Sequence, residues 1–167
     1  FGLRLRSWQS PPTLRRRSTQ EEAATLVGAV VIADGADWPP LQALAESVGM
    51  ARDLAVLPGN VLGPDAFERH ARALTTLGCD VEVLDMAKLQ RQGLHLLAAV
   101  GQGSCQPPRL VVVRWAGAEG PPLVFVGKGI TFDSGGLSLK HGDAMAEMKG
   151  DMAGAAAALL AVRTLAA

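Results

Sequence analysis

The feature that most limits the fold of this chain is the alternation of strand-like and helix-like patterns along it. Apolar runs of strand length occupy residues 25–33, 80–84, 94–100, 110–115 and 123–127. Apolar spacing and terminal Pro or Gly residues predict helices over residues 41–57, 64–77, 86–92 and 153–167, with turns at 34–40 and 58–60. Strands that alternate with helices are typical of an α/β layered fold. The uninterrupted apolar run 123–127 is typical of a buried parallel strand.

Composition excludes several classes of protein. Apolar residues make up 49% of the 167 residues and charged residues 19%, which is too apolar for a disordered chain. Sixteen basic residues balance sixteen acidic ones, so no overall field favours nucleic acid or an anionic membrane as a partner. The longest uncharged apolar stretches reach about half of the ~20 residues that span a bilayer. Two cysteines, Cys79 and Cys105, are too few for a disulfide framework, and we expect a cytoplasmic protein.

The first twenty residues carry five arginines and no acidic residue. A basic arm for nucleic acid is one interpretation, but Trp8 is the only aromatic side chain after Phe1 in this stretch that could stack on a base. A solvated linker fits the composition better.

Residues 126–152 hold the most unusual sequence of the chain, VGKGITFDSGGLSLKHGDAMAEMKGDM. Its charged groups follow a predicted strand at the edge of the sheet where α/β proteins bind ligands: Lys128, Asp133, Lys140, Lys149 and Asp151. Four of its glycines, Gly127, Gly129, Gly135 and Gly136, follow the predicted strand closely and give the backbone a freedom that a simple connector would not need. The segment is therefore the candidate functional site.

Common motifs do not explain this segment. It has neither a phosphate-binding GxxxxGK[ST] loop nor GxGxxG, because Phe132 stands where the last Gly of the latter belongs. Phe132 also argues against a serine-protease reading of the DSGG tetrad. HExxH is absent, and His70, His95 and His141 are scattered.

A site built from carboxylates and lysines remains. Asp133 and Asp151 are hard oxygen donors of the kind that divalent cations accept, and Lys128 could serve as a counter-ion or, uncharged, as a nitrogen ligand. The residues alone leave two interpretations open, a metal site and a structural cluster of salt bridges.

VGKGITFDSGGLSLK and MAEMKGDMAGAAA closely resemble the metal-binding core of the leucyl (cytosol) aminopeptidases, the di-metal family also called M17. ARDLAVLPGNVLGPDAF, LLAAVGQGS and PPRLVVVRW resemble other stretches of the same catalytic domain. The resemblance implies an α/β/α layered fold with a mixed central sheet flanked by helices. It also implies that residues 1–40 are the end of an N-terminal domain with a linker, and that residues 41–167 are the first part of a truncated catalytic domain.

The resemblance also implies roles for individual residues. Lys128, Asp133 and Asp151 would be ligands of two divalent metal ions, Mn²⁺ or Zn²⁺, with Asp133 bridging both. Lys140 would be the catalytic lysine, and Met148 would line the pocket for the first side chain of the substrate. Substrate contacts would therefore come from Lys128, Asp133, Lys140 and Met148.

Two features depart from the family pattern. Two further ligands and a catalytic arginine come in the family from a later Asn-Thr-Asp-Ala-Glu-Gly-Arg segment, which these 167 residues do not contain. His141 stands where the family often has Pro. We therefore expect the 167-residue chain alone to bind metal weakly and to be inactive, and we expect it to be a piece of a longer protein.

The function that these expectations give is a metal-dependent aminopeptidase that releases N-terminal residues, with a Leu-type preference, from peptides. The full-length protein would be a homo-hexamer with no nucleic-acid or membrane partner. The alternative is a non-catalytic relative that acts as an assembly or binding module and lacks the full ligand set.

Overall fold

A computed structural model describes Trp8 and residues 38–167 of the chain. Its α-helices are α1 Trp38–Val56, α2 Pro64–Arg72, α3 Met86–Arg91, α4 His95–Val100, α5 Gly142–Glu147 and α6 Ala153–Ala166. Two 3₁₀ turns, Ala73–Leu77 and Met148–Gly150, follow α2 and α5. The strands β1 Asp80–Leu84 and β2 Leu110–Arg114 pair antiparallel, with Asp80 opposite Arg114 and Leu84 opposite Leu110. The predicted α/β class is confirmed, and the sheet has two strands within the described residues.

The main core lies where α1 packs against α6. Its buried side chains are Leu54, Leu62, Ala66, Met152, Ala156 and Leu160. Alanines on α6 let the two helices approach closely, since a methyl group adds little bulk between them. Arg163 of α6 reinforces the seam, because its guanidinium donates to the buried Ser47 hydroxyl at 2.9 Å and pairs with Glu46 at 3.3 Å.

A second buried cluster joins the other face of α6 to the paired strands β1 and β2. It consists of Ala71, Leu74, Cys79 and Leu159, with Val81, Val111 and Val113 of the strands packed against it. Burial raises the pKa of the Cys79 thiol, so this cysteine is an inert packing residue near neutral pH. Trp8 contacts α1, where its indole N–H donates to the Asp53 carboxylate at 2.7 Å.

Most predicted elements are present. The helices predicted over 41–57, 64–77, 86–92 and 153–167 all form, and so do the strands at 80–84 and 110–115. The helical stretch that begins at Pro64 ends at Gly78, which has the left-handed conformation (φ +79°). The strand predicted over 25–33 and the turn residues 34–37 lie outside the described residues.

Two predictions are wrong in their secondary structure. Residues 94–100 were expected to be a strand, but His95–Val100 is the helix α4. Its Leu and Ala residues are strong helix formers, and a short apolar run does not by itself distinguish a strand from a helix. The turn expected to extend through Pro40 is also absent, because Trp38–Pro40 already form the first turn of α1, where proline is tolerated.

The predicted buried strand at 123–127 is wrong as well. These residues are not in a strand, and Leu123, Val124, Phe125 and Val126 are exposed, Val126 by 91%. An apolar run becomes a buried strand only when other strands pair with it. Within the described residues β1 and β2 pair with each other and leave this run without a partner.

The start of β2 is joined to α2 by a cluster of ion pairs. Arg109 bonds to the carboxylates of Asp65 and Glu68, and Arg72 bonds to Glu68 at 2.7 Å. The hydrogen bonds from Arg72 and Arg109 hold the pKa of Glu68 below its ordinary value of 4.5, against a desolvation effect that raises it. Among the described residues, no helix has both the length and the apolar character needed to cross a membrane.

We expect Leu160→Ala to destabilise the chain by about 2–5 kcal/mol, because Leu160 is 3% exposed and its truncation leaves a cavity between α1 and α6. Leu165→Ala on the same helix is the matched control, since Leu165 is 52% exposed and its loss should cost about 0.5 kcal/mol or less. Denaturant-induced unfolding of the two variants measures the difference. Equal losses of stability would contradict the position of the core.

We expect acid to remove the stability that Glu68 contributes. Its pKa is lower in the folded chain than in the unfolded chain, so the contribution is complete above pH 4.5 and is lost as the pH falls through the folded value. Glu68→Gln should therefore lower the free energy of unfolding at pH 7 and flatten its dependence on pH below 4.5. Glu119→Gln, at an exposed loop position, is the control and should leave both unchanged. Parallel pH profiles for Glu68→Gln and the wild type would refute this.

Candidate functional site

Lys128 and Asp151 form the first part of the site. The Lys128 ammonium lies 2.8 Å from Oδ1 of Asp151, with the lysine side chain 59% exposed and the aspartate side chain 15% exposed. Asp151 follows the 3₁₀ turn Met148–Gly150 and directly precedes Met152, which is fully buried in the main core. The position of the carboxylate is therefore fixed by the packing of its neighbour.

A compact loop between Asp133 and Lys140 forms the second part. Oδ1 of Asp133 accepts a hydrogen bond from the Gly135 amide at 2.8 Å, and the Lys140 amide donates to the Ser134 carbonyl at 3.0 Å. These bonds close the loop and leave the Lys140 ammonium 3.7 Å from Oδ2 of Asp133. Gly135 has φ +90°, and a Cβ at this position would collide with the Ser138 carbonyl oxygen. The loop thus requires glycine here.

Four of the five charged residues expected at the site are arranged as two ion pairs. Lys128 pairs with Asp151 and Lys140 pairs with Asp133, and within the described residues no hydrogen bond or ion pair joins one pair to the other. No group of three or more His, Cys, Asp or Glu side chains suited to a metal ion occurs in the part of the chain that the structure describes. The lysine–aspartate pairing is what this geometry establishes.

One oxygen atom in the site has no partner among the described residues. Oδ2 of Asp151 is buried and accepts no hydrogen bond from Trp8 or residues 38–167, although Oδ1 of the same carboxylate is paired with Lys128. A buried carboxylate oxygen without a partner loses its hydration without compensation. A hard cation is the kind of group that would compensate it. The residues present therefore fit part of a divalent metal site, with Asp151 as its best-defined donor.

The other residues expected near the site have different environments. Met148 is half-buried and begins the 3₁₀ turn, so its backbone carbonyl accepts from the Asp151 amide at 3.3 Å. Lys149 is exposed. His141 precedes α5 and its side chain makes no capping hydrogen bond to that helix. Met148 is thus the only one of these three side chains that is partly buried beside Asp151.

A close backbone contact beside Lys128 was not anticipated from the sequence. Gly127 lies directly against Gly154 and Ala155 at the start of α6, and the Ala155 amide donates to the Lys128 carbonyl at 2.9 Å. The only signal in the sequence is that a glycine occupies the start of an otherwise alanine-rich helix, where it is unfavourable.

The chain is an α/β domain with two lysine–aspartate ion pairs, one of them beside the start of α6. The sequence profile of the cytosol aminopeptidase family, catalytic domain, matches residues 49–167. The chain belongs to this family.

Curated relatives agree with this assignment. The chain is 42% identical to a probable cytosol aminopeptidase of Methylorubrum extorquens over 172 residues, which is 99% of this chain and 35% of the relative. It is 46% identical to the probable cytosol aminopeptidase of Sinorhizobium fredii over all of this chain and 35% of that protein. The chain thus spans about a third of the length of these relatives.

Solved structures share the fold. The leucyl aminopeptidase of Trypanosoma brucei in complex with actinonin is 36% identical, with a TM-score of 0.71 over 76% of this chain and 25% of that one. The bottromycin maturation enzyme BotP in complex with Mn is 42% identical, with a TM-score of 0.67 over 76% of this chain and 28% of that one.

We expect Gly135→Ala to destabilise the Asp133–Lys140 loop by about 1–3 kcal/mol, because alanine at this φ is strained and collides with Ser138. Gly103→Ala is the matched control, since a Cβ at Gly103 meets no atom within 4 Å. Limited proteolysis of the loop and thermal unfolding measure the effect. Equal protease sensitivity of the two variants would show that the loop does not need its glycine.

Proposed function

We propose that this chain forms part of the active site of a metal-dependent aminopeptidase that releases N-terminal residues, with a Leu-type preference, from peptide substrates. The supporting observation is the buried Oδ2 of Asp151, an acceptor with no partner beside Lys128. The chain belongs to the cytosol aminopeptidase family, and Asp151 lies within the matched residues 49–167. The sequence around Asp151 resembles the metal-binding core of that family, so a metal ion is the partner we propose for this oxygen.

The residues that would hold two divalent ions, Mn²⁺ or Zn²⁺, are Lys128, Asp133 and Asp151. Such ions, when bound, would supply an activated water molecule and polarise the scissile carbonyl group. Asp151 would offer Oδ2 without giving up its contact with Lys128, while Lys128 would have to lose its proton to act as a nitrogen ligand. Asp133 would keep Oδ1 on the Gly135 amide and offer Oδ2.

Lys140 would act on the substrate as a charged ammonium. Its ammonium lies 3.7 Å from Oδ2 of Asp133, and this ion pair holds the side chain beside the proposed ligand. From there it would stabilise the negative charge that develops on the carbonyl oxygen, an effect typically worth about 3–4 kcal/mol. Met148, half-buried next to Asp151, would contact the first side chain of the peptide.

The remaining expectations about the whole protein are part of the same proposal. We propose a cytoplasmic homo-hexamer that acts on peptides and has no nucleic-acid or membrane partner, and a division into residues 1–40 and 41–167. Because the chain spans 35% of its curated relatives, the proposed activity belongs to the full-length protein. The 167-residue chain alone is expected to be inactive.

A non-catalytic assembly or binding module is the second candidate, and the two ion pairs favour it. Each carboxylate of the site is already neutralised by a lysine, as in a structural cluster of salt bridges. In such a module another basic side chain, such as arginine, could replace either lysine without loss of function. In the enzyme Lys128 and Lys140 would have different tasks, so substitutions of the two distinguish the candidates.

We expect Lys140→Ala in the full-length protein to lower kcat for a leucyl peptide substrate about 100- to 1000-fold with the metal content unchanged. Lys88→Ala, which removes an exposed lysine of α3, is the control and should leave kcat as in the wild type. Steady-state kinetics and metal analysis of the purified variants measure both quantities. Loss of metal together with activity would mean that the role given to Lys140 is wrong, and a wild type without peptidase activity would favour the module.

A further inference from the structure

The segment that carries Lys128 touches the start of α6 through backbone atoms. A Cβ built on Gly127 would lie 2.5 Å from Cα of Ala155 and closer still to the Gly154 carbonyl oxygen, so no side chain fits there. The hydrogen bond from the Ala155 amide to the Lys128 carbonyl, 2.9 Å long, fixes the register of the same contact. The backbone at Gly127 and the backbone at Gly154 and Ala155 are therefore in direct contact, with no room for a side chain between them.

Gly154 completes the contact from the helix side. A Cβ on Gly154 would lie 3.3 Å from the backbone amide nitrogen of Lys128. This distance is short enough to push the segment around Lys128 outward by a few tenths of an ångström. The helix itself has little freedom to move instead, because Met152 and Ala156 on either side of Gly154 are 0% exposed in the core. An added methyl group at either glycine therefore displaces Lys128.

The position of Asp151 is set by α6 and not by the segment that carries Lys128. It directly precedes Met152, so core packing fixes its carboxylate, whereas Lys128 is held by the glycine contact. The 2.8 Å distance between the Lys128 ammonium and Oδ1 of Asp151 thus depends on how closely the two backbones lie.

We propose that Gly127 and Gly154 are positioning residues, whose contact sets the separation of Lys128 and Asp151 and thereby the metal affinity of the site. This inference rests on the proposed function, since it takes Lys128 and Asp151 as ligands. It adds two residues that carry no chemistry of their own.

Gly154→Ala separates positioning from folding. Alanine is a better helix former than glycine, so the melting temperature of the metal-free variant should stay level or rise. Its affinity for Mn²⁺ should nevertheless fall about tenfold or more, the usual cost of disturbing groups that orient metal ligands. A purely structural role predicts the opposite, an affinity that follows stability.

The experiment titrates the metal-free full-length protein with MnCl₂, reads free Mn²⁺ from its electron paramagnetic resonance signal, and records Tm without metal. Gly142→Ala is the matched control, because Gly142 also begins a helix and a Cβ there meets no atom within 4 Å. It should bind Mn²⁺ as the wild type does. Gly127→Ala should lose more affinity than Gly154→Ala, and if it does not fold, Gly154→Ala decides alone.

The outcomes distinguish the inference from the function on which it rests. Wild-type affinity in Gly154→Ala, or a loss that accompanies a fall in Tm, overturns the positioning role and leaves the proposed function intact. Lys128→Met and Asp151→Asn test the function itself. If both bind Mn²⁺ like the wild type, or if the wild type binds none, the metal site is refuted and the positioning role with it.

Discussion

The burial of Met152 between α1 and α6 is the constraint on which the site depends. Met152 is 0% exposed and packs with Leu54, Leu62 and Leu160 in the main core. Because Asp151 is its immediate neighbour, the hydrophobic energy that holds the core also holds one carboxylate at the surface of that core. A site residue placed in this way needs no rigid loop of its own.

The second carboxylate is held by a different kind of interaction. Asp133 is positioned by the local hydrogen bond from Gly135 and by the turn that brings Lys140 back toward it. One half of the site is thus supported by long-range packing and the other by bonds within an eight-residue loop. Charge is balanced in both halves, since each aspartate faces one lysine.

Sequence patterns predict the local features of this molecule well and its long-range features poorly. The α1 helix, the strands β1 and β2 and the end of the α2 stretch at Gly78 follow from apolar spacing and from glycine, which act within a few residues, whereas the pairing of β1 with β2 does not. The candidate lysines and aspartates could be named from their spacing and from the family resemblance. The pairing of Lys128 with Asp151, which are 23 residues apart, could not be predicted. It depends on how the segment around Lys128 lies against the start of α6. The helix at 95–100 and the exposed run at 123–126 differ from prediction for the same reason, since an apolar stretch takes its structure from what packs on it.

The exposed run Leu123, Val124, Phe125 and Val126 has a consequence for the physical behaviour of the chain. It is a short, uncharged, β-prone stretch, which is the type of sequence that joins to copies of itself when it is left uncovered. Chains in which this run is uncovered would therefore self-associate at high concentration, and dilution would oppose that association.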